Sequence, residues 1–359
     1  MQHNIYRSMI ESVVEKGIRE LGKRSKRELR NLVELGTRCA HGRFQNDFFK
    51  MARHMLADDN SPYYDMIFRL AKDTEPQFLS TFCINIGYNS WCIGAKKIRA
   101  YEQAHGHNVP WMILCDLENG DDKPLTQQEL SRLILQGKQI GIYSYSFFLN
   151  SVTEDVEWLF ELFLQHPDCA FLLFFDELTD QMIGTAGGCR NALLIRCING
   201  ENGSDLSREL FDNSKMGLSS IGIRYDETNM DAVMDWYTHS ERIKKEQGTF
   251  LFLLRKRNCP EGIAQKMNAF ANDCREAPKQ PLFLMDFYED IAYVDRVIST
   301  ESCFLKVLRD GSLVTGNPFA NADGNLRDGT LSELLQRYMP KVNYLAPPVK
   351  SLFFSVKTR

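Results

Sequence analysis

Apolar positions divide the chain into three textures. Over the first 75 residues they recur at helical spacing: Ile10, Val13, Val14, Ile18 and Leu21, then Phe48, Phe49, Met51 and Met55, then Tyr64, Ile67, Phe68 and Leu70. This predicts an N-terminal helical region over 1–75. From residue 76 short apolar, β-rich runs alternate with amphipathic stretches. The strand candidates are FLSTFCINI (78–86), QIGIYSYSF (139–147), AFLLFF (170–175), ALLIRCI (192–198), LSSIGIRY (218–225), TFLFLLR (249–255) and PLFLMDFY (281–288). Near-continuous apolar runs of this length fit strands covered on both faces, as in a parallel sheet. Capping boxes at Thr126–Glu129, Ser151–Glu154 and Thr330–Glu333 mark helix starts. Strand and helix alternating about six times over 76–290 predict an α/β fold, a (β/α) TIM-type barrel or partial barrel. A Rossmann-type sheet is the rival, but GYNSWCIG is a poor phosphate-binding turn. The last texture, 291–359, predicts a hairpin turning at Asp310-Gly311, the helix TLSELLQRY and an extended end: a C-terminal hairpin–helix appendage.

Charge and composition narrow the function. The 359 residues are 43% hydrophobic and 25% charged, with a net charge of -4. That balance gives no electrostatic reason to expect nucleic acid or an anionic membrane. No run of 18 apolar residues is present and the N-terminus has no apolar signal core, so the expected location is cytoplasmic. A basic run, Lys23, Arg24, Lys26, Arg27 and Arg30, sits among Glu20, Glu28 and Glu34 and reads as a solvated helix face. The ten cysteines contain no Cys-x-x-Cys pair. Cys83, Cys115 and Cys197 lie in apolar runs, where a thiol behaves as a small hydrophobe.

The order and wording of segments from about 78 to 340 resemble the radical S-adenosylmethionine (SAM) family, in particular members with a SPASM-like C-terminal extension. HPDC (His166 to Cys169) before a strand matches one branch of that family, and Asp310-Gly311, Asn325-Leu326-Arg327 and Thr330-Leu331-Ser332-Glu333 match its tail. The resemblance implies a radical-SAM-type (β/α)6 partial TIM barrel, with a Cys-x3-Cys-x2-Cys loop holding a [4Fe-4S] cluster after the first strand. In the best register Tyr88, Cys92 and Ala95 stand where those cysteines should be, with Asn89 between them. The family's Gly-Gly-Glu-Pro, which holds the amino group of SAM, is replaced by Tyr145-Ser146-Phe147-Phe148. Phe175-Asp176-Glu177 replaces Thr-Asn-Gly, and Gly316 stands at an expected tail cysteine. Fold-bearing segments persist while chemistry-bearing ones are replaced. No cofactor is therefore expected, neither a [4Fe-4S] cluster nor SAM, and the chain reads as a degenerate, cluster-less pseudoenzyme that binds a protein or peptide partner.

Two alternatives stay open. Carboxyl ends of barrel strands carry chemistry. Asp176, Glu177, Asn199, Glu201, Arg224, Asp226, Arg255 and Asp286 fall there, with Asn85, Asn89, Asp116, Glu118, Glu227, Tyr288 and Asp290 as further candidates. Carboxylates and arginines around one mouth suit a non-radical enzyme acting on a small polar molecule. The other alternative is an atypical iron–sulfur protein, which needs three of Cys39, Cys83, Cys92 and Cys303 at one point. His105-Gly106-His107 is a possible metal pair with Glu102 as the nearby acid, although a solvent-exposed turn explains it as well. GTAGG (184–188) lacks the Lys-Ser/Thr of a phosphate loop.

Overall fold

The computed structural model describes residues 2–21, 23–40, 43–118, 123–149, 157–177, 179–199, 219–240, 249–299, 301 and 303–341. The chain divides into two compact units, the first comprising 1–84, 196–287 and 351–359, the second 85–195 and 288–350.

The first unit opens with helices α1 (Gln2–Leu21), α2 (Lys26–Cys39), α3 (Arg43–Met55), α4 (Tyr63–Asp73) and α5 (Pro76–Cys83), as the apolar spacing predicts through residue 75. The basic run lies on an exposed helix face, with the Arg30 side chain 42% exposed, and part of it rims the buried Tyr64. Lys26 and Arg30 lie 5.1 and 5.9 Å from the Tyr64 ring, and Arg30 bonds Asp59 and the Tyr64 hydroxyl. Strands β5 (Ser219–Tyr225), β6 (Phe250–Arg255) and β7 (Phe283–Asp286) pair in parallel. Side chains alternate across this sheet. Ile221, Ile223, Leu251, Leu253 and Leu284 pack with Val233, Trp236 and Met267 of helices α10 (Met230–His239) and α11 (Glu261–Glu276). On the other face Phe250, Phe283 and Met285 pack with Tyr63, Tyr64 and Met66 of α4. Tyr63 and Tyr64 are 0% and 1% exposed. Each fully buried side chain of this size contributes about 1.5–3 kcal/mol. Both faces are covered, as the continuous apolar runs predict.

In the second unit a π-helix (Ile84–Gly94, its first residue still in the first unit) runs into α6 (Ala95–His105). Strands β1 (Met112–Asp116), β2 (Ser144–Leu149) and β3 (Ala170–Phe175) pair in parallel in that order, with β4 (Ala192–Ile198, its residues from Arg196 on belonging to the first unit) next. The other side of β1 takes β8 (Leu305–Leu308), again parallel. β9 (Ser312–Thr315) and β10 (Gly324–Asn325) follow antiparallel. Further α-helices among the described residues are α7 (Gln127–Ile140), α8 (Glu157–Gln165), α9 (Asp180–Ala186), α12 (Phe287–Ser299, its first residue still in the first unit) and α13 (Leu331–Tyr338). The class is mixed α/β with a mostly parallel sheet, in the strand–helix alternation expected of a (β/α) partial barrel.

Local signals account for these elements. Thr126–Glu129 and Thr330–Glu333 form complete capping boxes at α7 and α13, while Ser151–Glu154 lies outside the described residues. Gly311, with φ +88°, makes the turn between β8 and β9. Arg327 ties the appendage to α7, donating to Glu129 at 2.6 Å and to the Asp310 carbonyl at 2.6 Å. Phe147, Phe163 and Phe171 interlock between β2, β3 and α8, with rings 4.2–6.1 Å apart.

One element is corrected. Residues 78–86 form no strand: they belong to α5 and the π-helix, and the first strand is β1. The buried set Phe78, Leu79, Ser80, Phe82, Ile84 and Asn85 satisfies alternation and helical spacing alike, so burial pattern alone is ambiguous. Pro76 at the first helical turn is the signal that decides it.

The π-helix is seated backbone to backbone. A Cβ on Gly141, whose φ is +112°, would lie 2.6 Å from the Gly94 carbonyl oxygen. Gly106 has φ +73° but open space around it. Gly141→Ala is expected to lose more than about 2 kcal/mol in urea unfolding, against about 1 kcal/mol for Gly106→Ala. Equal losses would mean the π-helix is not held at this contact.

Candidate functional site at the carboxyl ends of the strands

In the second unit β1 ends at Asp116, which is 8% exposed. Its Oδ1 accepts the Glu118 N–H at 3.2 Å and its Oδ2 faces Lys306 Nζ at 3.5 Å. Lys306 stands on β8, opposite Leu114, and its ammonium lies 6.0 Å from the Phe319 ring. Tyr288 meets Phe319 edge-on at 5.1 Å. In register with Asp116, Phe148 of β2 and Phe174 of β3 stack at 4.6 Å. Asp176, half-buried, and Glu177, exposed, follow β3, and Asp290 is buried in α12. The strand ends of this unit therefore hold a carboxylate–ammonium pair and two aromatic groups. Sequence reading missed Lys306, because only the parallel pairing of β8 with β1 brings it to Asp116.

In the first unit the structure brings Asn199, Arg224 and Asp226 together through Asn229, which is 3% exposed. Asn229 Nδ2 donates to the carbonyls of Asn199 at 3.1 Å and Arg224 at 2.9 Å, and its Oδ1 accepts the Asp226 N–H at 3.0 Å. Asp226 accepts the Thr228 N–H at 2.8 Å and pairs with Lys256 at 2.9 Å. Arg255 turns forward to Glu261 at 2.8 Å and to the Cys259 carbonyl at 3.0 Å. Glu227 is exposed and Asp286 is 1% exposed at the end of β7. Glu201 lies outside the described residues. Asn229 was also missed, although an Asx residue three places after Asp226 and just before a helix is a recognisable loop brace.

These contacts limit the chemistry. The hydroxyl of Thr228, then Lys256, hold the Asp226 carboxyl down to about 2. A group so acidic stays ionised at neutral pH and is a poor general acid or base. Its folded value lies below the ordinary one, so its stabilisation is complete above about pH 4 and disappears as pH falls to about 2. Asp226→Ala is expected to cost about 1 kcal/mol at pH 7 and to flatten the acid limb of stability between pH 4 and 2. Unchanged stability in denaturant titrations at pH 7 would show that this carboxylate is not a loop brace.

The segments matched to cofactor motifs sit elsewhere. Tyr88, Asn89, Cys92 and Ala95 lie on the π-helix and α6, not on a loop after a strand. Asn85 Nδ2 donates to the carbonyls of Pro167 (2.9 Å) and Cys169 (2.8 Å), and Asn89 Nδ2 to that of Asp168 (2.8 Å). Ser90 Oγ meets Ser144 Oγ at 2.6 Å, at the first residue of β2. The π-helix thus caps the amino ends of β2 and β3, and Asn85 and Asn89 are removed from the strand-end candidates. Tyr145 to Phe148 lie inside β2, all buried, with the Tyr145 hydroxyl on the carbonyls of Ile134 and Ile142 at 3.2 Å. Gly137 leaves room for that hydroxyl. The segment that follows β1, residues 117–126, contains no cysteine. These residues do not fit a [4Fe-4S] cluster held by three thiolates, nor the SAM it anchors.

Other metal readings fare no better. His105 and His107 rings are 6.0 Å apart, His105 Nδ1 engages the Tyr101 carbonyl, and both Glu102 oxygens are occupied by Val109 N–H and Lys341. Among the described residues no three His, Cys, Asp or Glu side chains converge as metal ligands. The described residues also include no helix long and apolar enough to cross a membrane.

No family model and no curated protein matches this chain. Among solved structures it is similar to Streptococcus suis SuiB bound to S-adenosylmethionine, at 9% identity, covering 67% of each chain, with a TM-score of 0.47. It is similar to SuiB bound to the precursor peptide SuiA, at 9% identity over 67% of this chain and 68% of that one, TM-score 0.47. The FeFe-hydrogenase maturase HydG from Carboxydothermus hydrogenoformans aligns over 90% of this chain and 83% of its own, at 12% identity and a TM-score of 0.36. The α/β class above stands on the strand pairing of this chain alone.

Proposed function

We propose that this chain is a radical-SAM-like protein that works without a cluster and acts by binding, as a regulatory or accessory partner of a protein or peptide. One observation carries the reading. The segment after the first parallel strand has no cysteine, and Cys92, the one thiol of the motif-like stretch, belongs to a helix at the amino ends of the strands. The replacement is therefore topological, and no single restored thiol would rebuild the site. The occupied state of Asp226 and Arg255 also counts against the non-radical enzyme, since both serve local loop contacts.

The cofactor half of the proposal is tested by titrating SAM into the full chain after anaerobic incubation with iron and sulfide. No saturable heat is expected. A Kd of about 10 μM or tighter would contradict it. The partner half is tested by anaerobic co-expression with an intact Cys-x3-Cys-x2-Cys radical SAM enzyme from the same genome. Co-elution at a fixed ratio supports an accessory role, and separate elution contradicts pairing with that enzyme.

A further inference from the structure

The chain has a net charge of -4, yet residues 16–30 hold seven lysines and arginines against two glutamates. They cover the end of α1, the connection and the start of α2. Six of the seven cations are exposed, and Arg30 is half-buried. Carboxylates are spaced among them. Lys23 meets Glu20 at 2.6 Å, Arg24 reaches Asp65 at 3.6 Å, and Arg30 pairs with Asp59. Asp58, next to Asp59, is exposed as well. With these three aspartates counted, the cations are still in excess. Arg27 is exposed and meets no carboxylate among the described residues.

Folding alone does not account for these charges. Lys26 and Arg27 open α2, where the helix dipole disfavours a cation. Arg24 has φ +54°, and among the described residues it is the one residue other than glycine with a positive φ. Side chains with a Cβ rarely adopt that region, and glycine or asparagine would take the turn with less strain. In return Arg24 gains an ion pair whose side chains are 61% and 70% exposed, which contributes little to stability. Its guanidinium also lies 5.8 Å from the centre of the Phe68 ring, near the outer limit of a cation–π contact. Apolar surface lies open on the same two helices. α1 and α2 pack at Gly17 and Leu32, where a Cβ on Gly17 would lie 2.8 Å from a Leu32 methyl. About one turn further from the connection, Val13 and Leu35 are 43% and 40% exposed.

We propose that the basic end of the α1–α2 hairpin docks an acidic segment of a partner protein, with that segment's apolar side chains on Val13 and Leu35. The inference rests on the reading that this chain acts by binding a protein or peptide, and it names the surface and the chemistry of the partner. Charge complementarity selects the occupant. Glu20, Asp59 and Asp65 stand among the cations, and the chain as a whole is negative, so a continuous polyanion is repelled where a segment with spaced carboxylates is not. Exposed Val13 and Leu35 give a protein segment apolar surface to cover, which nucleic acid does not use.

Fluorescence anisotropy on the full chain tests this, with a labelled peptide of about 16 residues repeating Glu-Glu-Leu-Ala. The expected Kd is roughly 100 μM or tighter at about 50 mM salt, weakening about tenfold at about 300 mM. Lys23→Glu with Arg27→Glu should weaken binding about tenfold or more. Lys96→Glu with Arg99→Glu, the same charge change at exposed positions of α6, should leave it unchanged. Arg24→Gly should weaken binding while holding the thermal midpoint near the wild-type value, a combination that a purely structural Arg24 would not give. No saturable binding at low salt, or equal weakening by the two double variants, overturns the docking surface. Tighter binding of a thymidine oligonucleotide of equal charge overturns the choice of a protein segment. If Lys23→Glu with Arg27→Glu fails to fold by circular dichroism, Arg24→Gly decides alone: wild-type affinity overturns the proposal. Co-elution with a natural partner that survives Lys23→Glu with Arg27→Glu overturns this surface and leaves the accessory role standing.

Discussion

A parallel strand hydrogen-bonds only within its sheet, so both of its faces must be covered by something else. That requirement organises each unit. In the first, α10 and α11 take one face of β5–β7 and the N-terminal helices take the other, around Tyr63 and Phe283. In the second, α8 interlocks with Phe147 and Phe171 on one face, while Ser144 on the other meets the π-helix through Ser90. The apolar character of the strands and the packing of α4 against β6 and β7 follow from that cover.

The same requirement explains why the chemistry-bearing positions are quiet. Tyr145 and Phe147 are core because β2 presents them to helices, and Asn85 and Asn89 face backbone carbonyls because the π-helix closes the amino ends of β2 and β3. Asp226 and Arg255 hold the loops that join strands to helices. A radical SAM site needs thiolates at a strand's carboxyl end, and here that segment is 117–126, which has none.

Much of this fold was legible in the sequence. Runs such as AFLLFF and TFLFLLR left little choice but doubly covered strands, and two capping boxes marked α7 and α13 to the residue. The FLSTFCINI stretch is ambiguous because its buried residues suit either period, with Pro76 the local signal for a helix. The site was less legible. Lys306 reaches Asp116 across about 190 residues of chain through parallel pairing, which no local spacing records. Asn229 was readable as a loop brace for Arg224 and Asp226 at the end of β5, but its third partner, Asn199, comes from the end of β4. Glu102 stood in the sequence only as the acid near His105 and His107, and its contact with Lys341 comes from a segment more than 230 residues further along the chain.

The proposed absence of a radical SAM cluster is tested most directly by iron content. The full chain would be purified without oxygen, reconstituted with iron and sulfide, desalted, and assayed for iron and visible absorbance. A colourless protein without stoichiometric iron is expected. A brown protein with about four irons per chain would contradict it, and would mean that cysteines distant in sequence assemble a cluster.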